Sequence, residues 1–429
     1  MNLSSKGQGS GVKGQEQADN EALAPCPLRQ AQCAALPLAP LKILMIAPTP
    51  YFSDRGCHVR IYEEARALMA QGHQVRIVTY HLGRDLEPVP VDRAARIPWY
   101  TKQEAGPSWH KLYLDLLLLC TAVRVSRQLK PDLIHAHLHE GVLAGWVVAR
   151  LRGIPLLFDY QGSLTGESLN HGFFRPGGVV HRLFQRAEGW INRLADQIIT
   201  SSTPGRDELA QLRHCPDQRV TVLADGVDLS VFKHHPQREA RQQLGLDEQV
   251  PVIVYLGLFN SYQGVDLLLQ AAKELIRQGR NFHLLMMGYP EQPCRDLAEK
   301  LHISSFITFT GRVSYADAPL LLSAGDLAVS PKVSTTEANG KLLNYMACGL
   351  PVVAFDTPVN RELLGDDGLY AALGSVDDLA RCLSDALADR SQLRQRGRRL
   401  RDRVTALFSW DAQVQRLLAV YGRLLAVEK

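Results

Sequence analysis

The chain has no C-x-x-C pair, no G-x-G-x-x-G fingerprint, no long uninterrupted apolar run and little excess charge. Its eight cysteines (Cys26, Cys33, Cys57, Cys120, Cys215, Cys294, Cys348, Cys382) are scattered. That gives no basis for a zinc ribbon and, in a chain this long, argues against a disulfide framework. The first residues lack a basic stretch followed by an apolar one, so no secretory signal is visible and a cytoplasmic location is expected. The longest apolar stretch, Leu112 to Val123 (LYLDLLLLCTAV), is too short to span a bilayer and is interrupted by Asp115. A buried helix is expected there, with docking on a membrane surface as the alternative. A formal charge of only +4 gives no bulk electrostatic case for nucleic acid. Basic residues concentrate at Arg390 to Val404 (RSQLRQRGRRLRDRV), read as a solvated helix face, with peripheral contact to anionic lipid as the alternative.

What is present is a soluble composition, 46% hydrophobic and 21% charged, in 429 residues, enough for two domains. Residues 1–40 are rich in Gly, Gln, Ser and Pro without periodicity and are expected to be disordered. From Leu41, strands alternate with helices: KILMIA (Lys42–Ala47), a helix from about His58 to Gln71, QVRIVTY (Gln74–Tyr80), DLIHAH (Asp132–His137), PLLFDY (Pro155–Tyr160), QIITSS (Gln197–Ser202) and RVTVLA (Arg219–Ala224). The pattern restarts at PVIVYLG (Pro251–Gly257). Continuous apolar strands between helices mean parallel sheets covered on both faces. Two doubly wound, Rossmann-like α/β domains facing across a cleft are expected, over residues 41–225 and 226–407, with an amphipathic terminal helix over 408–429.

The stretch with most chemistry is Pro331 to Asp356, PKVSTTEANGKLLNYMACGLPVVAFD. Its Glu337 carboxylate can accept hydrogen bonds from sugar hydroxyls. Asn339, Gly340 and Lys341 offer backbone N–H groups at a helix start, and Lys341 adds a positive charge, a combination suited to a sugar or a diphosphate. The alternative is an ordinary helix-capping loop. His135, His137 and His139, followed by Glu140, invite a metal reading, but the spacing lacks H-E-x-x-H, and a hydrogen-bonded histidine near the cleft is the expectation. No Asp-x-Asp metal site stands out.

The Pro331–Asp356 stretch resembles the donor-sugar motif of retaining GT-B glycosyltransferases (glycosyltransferase family 4). There a Glu, seven residues and a second Glu precede A-M-A-x-G-x-P-V-V-A. Here Asn344 holds the second Glu position, as in a variant subgroup, and Glu337 stands one residue closer. LADGVDLSVF (Leu223–Phe232) resembles the family's interdomain connector. Gly257-Leu258 to Gln263-Gly264 occupies the place of the family's Arg and Lys, which neutralise the donor diphosphate. Arg55-Gly56 replaces the family's Gly-Gly loop, Gln161 stands where a His is common, and Gly311-Arg312-Val313 resembles the loop beside the nucleotide base.

The resemblance implies a retaining, metal-independent transfer of a sugar from a UDP- or GDP-linked donor to a glycan, lipid or small-molecule acceptor. The donor would be held by the second domain, with Glu337 catalytic and Gly257, Leu258, Gln263, Arg312, Asn339, Gly340, Lys341 and Asn344 around it. The acceptor and phosphate loop would involve Arg55, Gly56, His137 and Gln161. No cofactor beyond the nucleotide-sugar is implied, and the terminal helix would cross back to the first domain. The replacements at Leu258, Gln263, Gln161 and Asn344 also suit a rival reading, a non-catalytic GT-B module that binds a glycan or sugar nucleotide.

Overall fold

The computed structural model describes residues 38–52, 56–101, 110–170, 173–212 and 219–426. Arg55, and all but the end of the segment expected to be disordered, lie outside the described residues.

In the first half, strands β1 (Lys42–Ala47), β2 (Gln74–Thr79), β3 (Val91–Arg93), β4 (Leu133–His137), β5 (Leu156–Tyr160), β6 (Gln197–Thr200) and β7 (Val220–Val222) form one sheet in the order β3-β2-β1-β4-β5-β6-β7. In the second half, β8 (Val252–Leu256), β9 (His283–Met287), β10 (Ile307–Phe309), β11 (Leu327–Ser330), β12 (Val352–Phe355) and β13 (Leu369–Ala371) are ordered β10-β9-β8-β11-β12-β13. Every pairing is parallel. The strands read as apolar runs because both of their faces are covered: β4, β5, β11 and β12 have no residue outside the buried class.

Helices α1 (Gly56–Ala70), α2 (Lys111–Leu129), α3 (Leu138–Arg152), α4 (Leu164–Asn170), α5 (Val179–Asn192) and α6 (Thr203–Leu212) belong to the first half. The second carries α7 (Gln237–Leu244), α8 (Val265–Arg277), α9 (Gln292–Lys300), α10 (Ala318–Leu322), α11 (Lys341–Ala347), α12 (Pro358–Leu364), α13 (Val376–Ala388) and α14 (Arg390–Leu407). The chain ends in α15 (Trp410–Ala426). Leu114, Leu118 and Val125 of α2 and Val142 and Val148 of α3 cover one face of the first sheet. Ile61, Ala65 and Leu68 of α1 cover the other, together with Val414, Leu417, Tyr421 and Leu424 of α15. The terminal helix thus packs on the first sheet. Beside this second crossing, Val227 pairs with Ser409 in a parallel bridge, where Val227 N donates to Phe408 O at 2.9 Å and Trp410 N to Val227 O at 3.2 Å.

The structure revises one expectation and adds one strand. The Leu112–Val123 stretch belongs to the longer α2 and is only half-buried: Leu114, Leu118 and Ala122 face the core while Leu112 and Leu116 are 73% and 60% exposed. The three-residue β3 carries no apolar run and was not readable in advance.

In both sheets the strand order reverses direction beside the first strand, between β1 and β4 and between β8 and β11. Crevices open at the carboxyl ends of strands at such points. The start of α1, which follows β1, and the loops leaving β5, β8 and β11 meet there in one cleft.

Candidate functional site

The cleft has a volume of about 400 Å³ and is lined from both halves. The first half contributes Gly56, Arg60, Gln161 and Asp225; the second contributes Gly257, Leu258, Gln263, Tyr289, Val313, Lys332, Glu337, Asn339, Gly340, Lys341 and Asn344. Apart from Arg312, every expected donor residue therefore reaches the cleft. Arg312 instead donates to the Tyr289 hydroxyl at 3.0 Å, its guanidinium 4.6 Å from that ring, and its neighbours Val313 and Ser314 line the wall.

Glu337 follows β11 on the loop Pro331–Gly340. Its carboxylate accepts a hydrogen bond from the Tyr262 hydroxyl and lies 3.5 Å from Lys332 Nζ. Burial, and then the Glu337 charge, push the Tyr262 hydroxyl far above the usual phenol range, so it stays a donor. Lys332 is anchored on the Ala338 carbonyl at 2.6 Å. Burial lowers its pKa, with Glu337 opposing the shift. Asn339 differs from expectation in its side chain, which turns inward to Ser330 Oγ at 3.0 Å and Asn360 Oδ1 at 2.9 Å. It pins the loop to the end of β11 and to α12, and only its backbone remains for a ligand. α11 has just seven residues, so the site depends on local groups and not on a long helix dipole.

Lys341 is the central cation. Its Nζ donates to Gln263 Oε1 at 2.6 Å and to Tyr255 OH at 3.2 Å and lies 4.4 Å from the Tyr255 ring. Both hydrogen-bond partners are neutral. Burial lowers its pKa well below the usual value and the Lys332 charge adds to this. Gly257 leaves room for it: this residue has φ 149°, and a Cβ there would stand 2.8 Å from Lys341 Nζ. Gly264 plays a second part, since a Cβ would meet the Pro331 carbonyl at 1.9 Å. The loop after β8 thereby lies directly against the loop carrying Glu337.

The opposite wall is organised by Arg60, buried in α1. It binds Asp159 (Nε–Oδ2 3.1 Å), Asp225 (Nη1–Oδ1 2.6 Å) and the Leu223 carbonyl (3.2 Å). Gln161 lines the cleft while its Nε2 donates to Asp159 Oδ2 at 2.7 Å. His137 does not reach the cleft. It is fully buried behind Gln161, with Nδ1 3.0 Å from Asp159 Oδ2. His135 and His137 do share one side of the sheet, their rings stacked with centroids 4.5 Å apart, and His135 Nδ1 meets Tyr421 OH at 2.9 Å.

Among the described residues, Glu64, His135, His137 and Asp159 each place a potential metal-ligand atom within 4.8 Å of the others. The group differs from the sequence-read one, because Glu140 pairs with Lys111 at 2.6 Å and His139 faces Glu188 at 3.6 Å. Arg60 Nη2 stands 3.0 Å from Asp159 Oδ1 and 3.3 Å from Glu64 Oε1. A divalent cation there would meet that fixed positive charge, so the donor set fits a metal poorly. Burial pushes the Asp159 carboxyl up, but Arg60 outweighs it and holds the group well below the usual range. Burial pushes Glu64 up to about 8.

Several bonds join the two walls: Ser202 Oγ to the Thr336 carbonyl at 2.6 Å, Thr203 N to Glu362 Oε2 at 3.1 Å, and Tyr315 OH to Glu63 Oε1 at 2.9 Å. A methyl added at Gly162 would lie 3.7 Å from Glu337 Oε1, which places the β5 loop opposite that carboxylate. Sequence reasoning missed Arg60, Asp225, Tyr255 and Tyr262. Asp225 lies in LADGVDLSVF, which was read only as a connector between the domains, and nothing local marked the others.

The family profile described as Glycosyl transferases group 1 matches residues 250–389, and the profile Glycosyl transferase 4-like domain matches 55–226. A D-inositol 3-phosphate glycosyltransferase of Gordonia bronchialis is 28% identical over 393 residues, covering 86% of this chain and 84% of that protein. One of Thermobispora bispora is 27% identical over 394 residues, covering 86% and 90%. Sucrose-phosphate synthase from Thermosynechococcus elongatus has a similar structure, with a TM-score of 0.76 at 20% identity, covering 90% of this chain and 99% of that one. Anabaena HepE in complex with UDP and glucose gives 0.71 at 19% identity, covering 89% and 99%.

Proposed function

The chain belongs to the group 1 glycosyltransferases with the GT-B fold, and from that premise we propose a metal-independent, retaining transfer from a UDP- or GDP-sugar to a glycan, lipid-linked or small-molecule acceptor. The observation that carries the donor assignment is Lys341, a buried ammonium on the cleft wall whose hydrogen-bond partners, Gln263 and Tyr255, are both uncharged. An enclosed cation of this kind is suited to a departing diphosphate. The donor diphosphate lies between Lys341 and Lys332, the sugar against Glu337 and the Asn339–Lys341 backbone, and the ribose near Asn344. The base rests beside Tyr289 and Val313. The acceptor enters from the Gln161 and Gly56 wall.

In the transfer, the bond from the anomeric carbon to the phosphate oxygen breaks as the acceptor oxygen bonds to the same face of that carbon. The acceptor proton passes to the leaving phosphate, since among the described residues the cleft carboxylates Asp225 and Glu337 are engaged by Arg60 and Tyr262. Lys341 and Lys332 stabilise the charge that develops on the diphosphate, and the joined walls keep water from the reacting carbon. Metal independence is supported by these two lysines doing what a cation would do, and by Arg60 standing inside the His/carboxylate group.

The test is a panel of radiolabelled UDP- and GDP-sugars with oligosaccharide and lipid extracts, with and without EDTA, and with NMR of the product's anomeric proton. A product that keeps the donor's anomeric configuration, formed at an unchanged rate in EDTA, is expected. An inverted product, or activity lost in EDTA and restored by Mn²⁺, overturns the mechanism. Tight donor binding without turnover across the panel returns the chain to the binding-module reading.

A further inference from the structure

The helices over one face of the first sheet present an outer surface that is both apolar and basic. α5 is its centre. Only Glu188, Ile191 and Asn192 of that helix are buried, so its first nine residues, Val179 to Ala187, pack no side chain fully into the core. Val179 is 82% exposed, Leu183 63% and Trp190 53%. Just before it, Phe173 is also exposed, and the Phe173 and Phe174 rings gather on Phe184 with centroids 6.2 and 4.8 Å away. α3 packs against both α5 and α2, and these neighbours also carry exposed apolar residues, Leu151 on α3 and Leu112 and Leu116 on α2. Exposed apolar side chains gathered along one helix in this way mark an interaction site.

The charges on these helices are one-sided. Arg182 and Arg186 of α5, Arg150 and Arg152 of α3, and Arg124 and Arg127 of α2 are all exposed. The same three helices hold one acid each, and none of the three faces outward. Asp115 accepts from Tyr80 OH, Glu140 pairs with Lys111 at 2.6 Å, and Glu188 is buried, accepting from Thr165 N at 3.1 Å. The one exposed acid on adjoining α4 is Glu167. A second copy of this face would set arginine against arginine, which disfavours a symmetric dimer. Exposed Val, Leu, Phe and Trp interleaved with arginine and stripped of outward carboxylate match a surface that is apolar inside and anionic at its rim. No helix of the described residues is long and apolar enough to cross a membrane.

We propose that this face, centred on α5, seats the protein on an anionic lipid bilayer. Phe173, Val179, Val180 and Leu183 enter the headgroup region while Arg182 and Arg186 meet lipid phosphates, their stems lying along the apolar layer. The helix is also tied to the cleft. Glu188 accepts from Ser163 Oγ at 3.2 Å, and Ser163 follows Gly162, the residue facing Glu337. The proposal does not depend on the donor chemistry, and its test reads lipid binding alone.

The full chain is sedimented with vesicles of phosphatidylcholine, or of phosphatidylcholine with about one third phosphatidylglycerol. Sedimentation with the anionic vesicles only, weakened by raised salt, is expected. Val179→Asp with Leu183→Asp should abolish it, and Arg182→Gln with Arg186→Gln should weaken it about tenfold or more. These side chains are exposed, so the melting temperature serves as the check on folding. Independently, the unaltered protein should show a blue-shifted tryptophan emission on anionic vesicles, and this shift should be lost in Trp190→Phe. A chain that stays in the supernatant with anionic vesicles overturns the proposal. So does lipid binding lost in Arg394→Gln with Arg398→Gln on α14 but kept in the α5 variants. A self-associated species that Leu183→Asp breaks into monomers would assign the face to protein contact instead.

Discussion

Lys341 Nζ and Gln263 Oε1 are 2.6 Å apart, joining two loops whose residues stand 78 positions apart in the chain. The glutamine occupies the place that resembled a family lysine, and Lys341 brings an ammonium to the same point from the start of α11. On the proposed function, Lys341 then supplies from α11 the cation that the resemblance expects at position 263. Lys341→Gln should therefore lower turnover at least tenfold, about 1.4 kcal/mol per decade. Gln263→Lys alone should also lower it, because two ammonium groups would share one site. The double exchange, Gln263→Lys with Lys341→Gln, should regain most of the loss. Steady-state kinetics of the four proteins checks this, and an exchange no better than Lys341→Gln alone counts against the shared position.

The same lysine predicts a proton linkage. Burial and Lys332 hold the Lys341 pKa well below its usual value in the empty cleft, and a donor diphosphate would raise it. Between those two pKa values, binding must take up a proton, so nucleoside diphosphate affinity should fall as pH rises through that window. Titration calorimetry in two buffers of different ionisation enthalpy should show proton uptake. Lys341→Gln should remove it.

Glu337→Ala should reduce kcat/KM more than a hundredfold, about 2.7 kcal/mol, while leaving the melting temperature nearly unchanged. Glu337→Gln should lose less, since its carbonyl can still accept from Tyr262. Val353→Ala, fully buried in β12, should do the reverse and cost roughly 2 kcal/mol of stability. Assaying activity beside thermal unfolding separates these two patterns.

The group behind Gln161 should show in stability against pH. Glu64 is raised in the folded state, from 4.5 to about 8, mainly by burial. Its contribution is complete below the unfolded value and is lost as pH rises through about 8. Asp159 is lowered, so its contribution is present above the ordinary carboxylate range and lost in acid. Glu64→Gln should raise the melting temperature at pH 8 relative to the parent, more than at pH 5. Asp159→Asn should cost about 3 kcal/mol at neutral pH by leaving Arg60 underpaired. Melting curves at the two pH values decide both.

Most of the architecture was legible because buried parallel strands announce themselves as apolar runs, and the restart at Pro251 marked a second sheet. That Glu337 to Lys341 would line the cleft was legible too, since it is one contiguous segment. The facing wall was not. Arg60 sits within VRIYEE, which reads as a mixed helix face, and its partners Asp159 and Asp225 come from two other places in the chain. Glu140 was read with the histidines because it adjoins them in sequence, yet the carboxylates that reach His135 and His137 are Glu64 and Asp159. Local spacing carries no record of which loops meet. The exposed apolar residues of α5 were hidden for a different reason: hydrophobic periodicity shows that a helix has an apolar side, not whether anything covers it.

The paired crossing at Val227 and Ser409 has a mechanical consequence. Both strands of chain that join the halves pass through one spot, stitched by backbone bonds, and a Cβ at neighbouring Gly226 would press into the Trp410 ring at 2.6 Å. The other bonds between the walls, Ser202 to Thr336, Thr203 to Glu362 and Tyr315 to Glu63, run through side chains. Were those to part, the halves would turn about this spot, and release of a spent nucleotide should be a jaw-like rotation whose gape grows with distance from it. Stiffening or loosening those few residues should alter how often the jaw opens while leaving the reacting groups untouched.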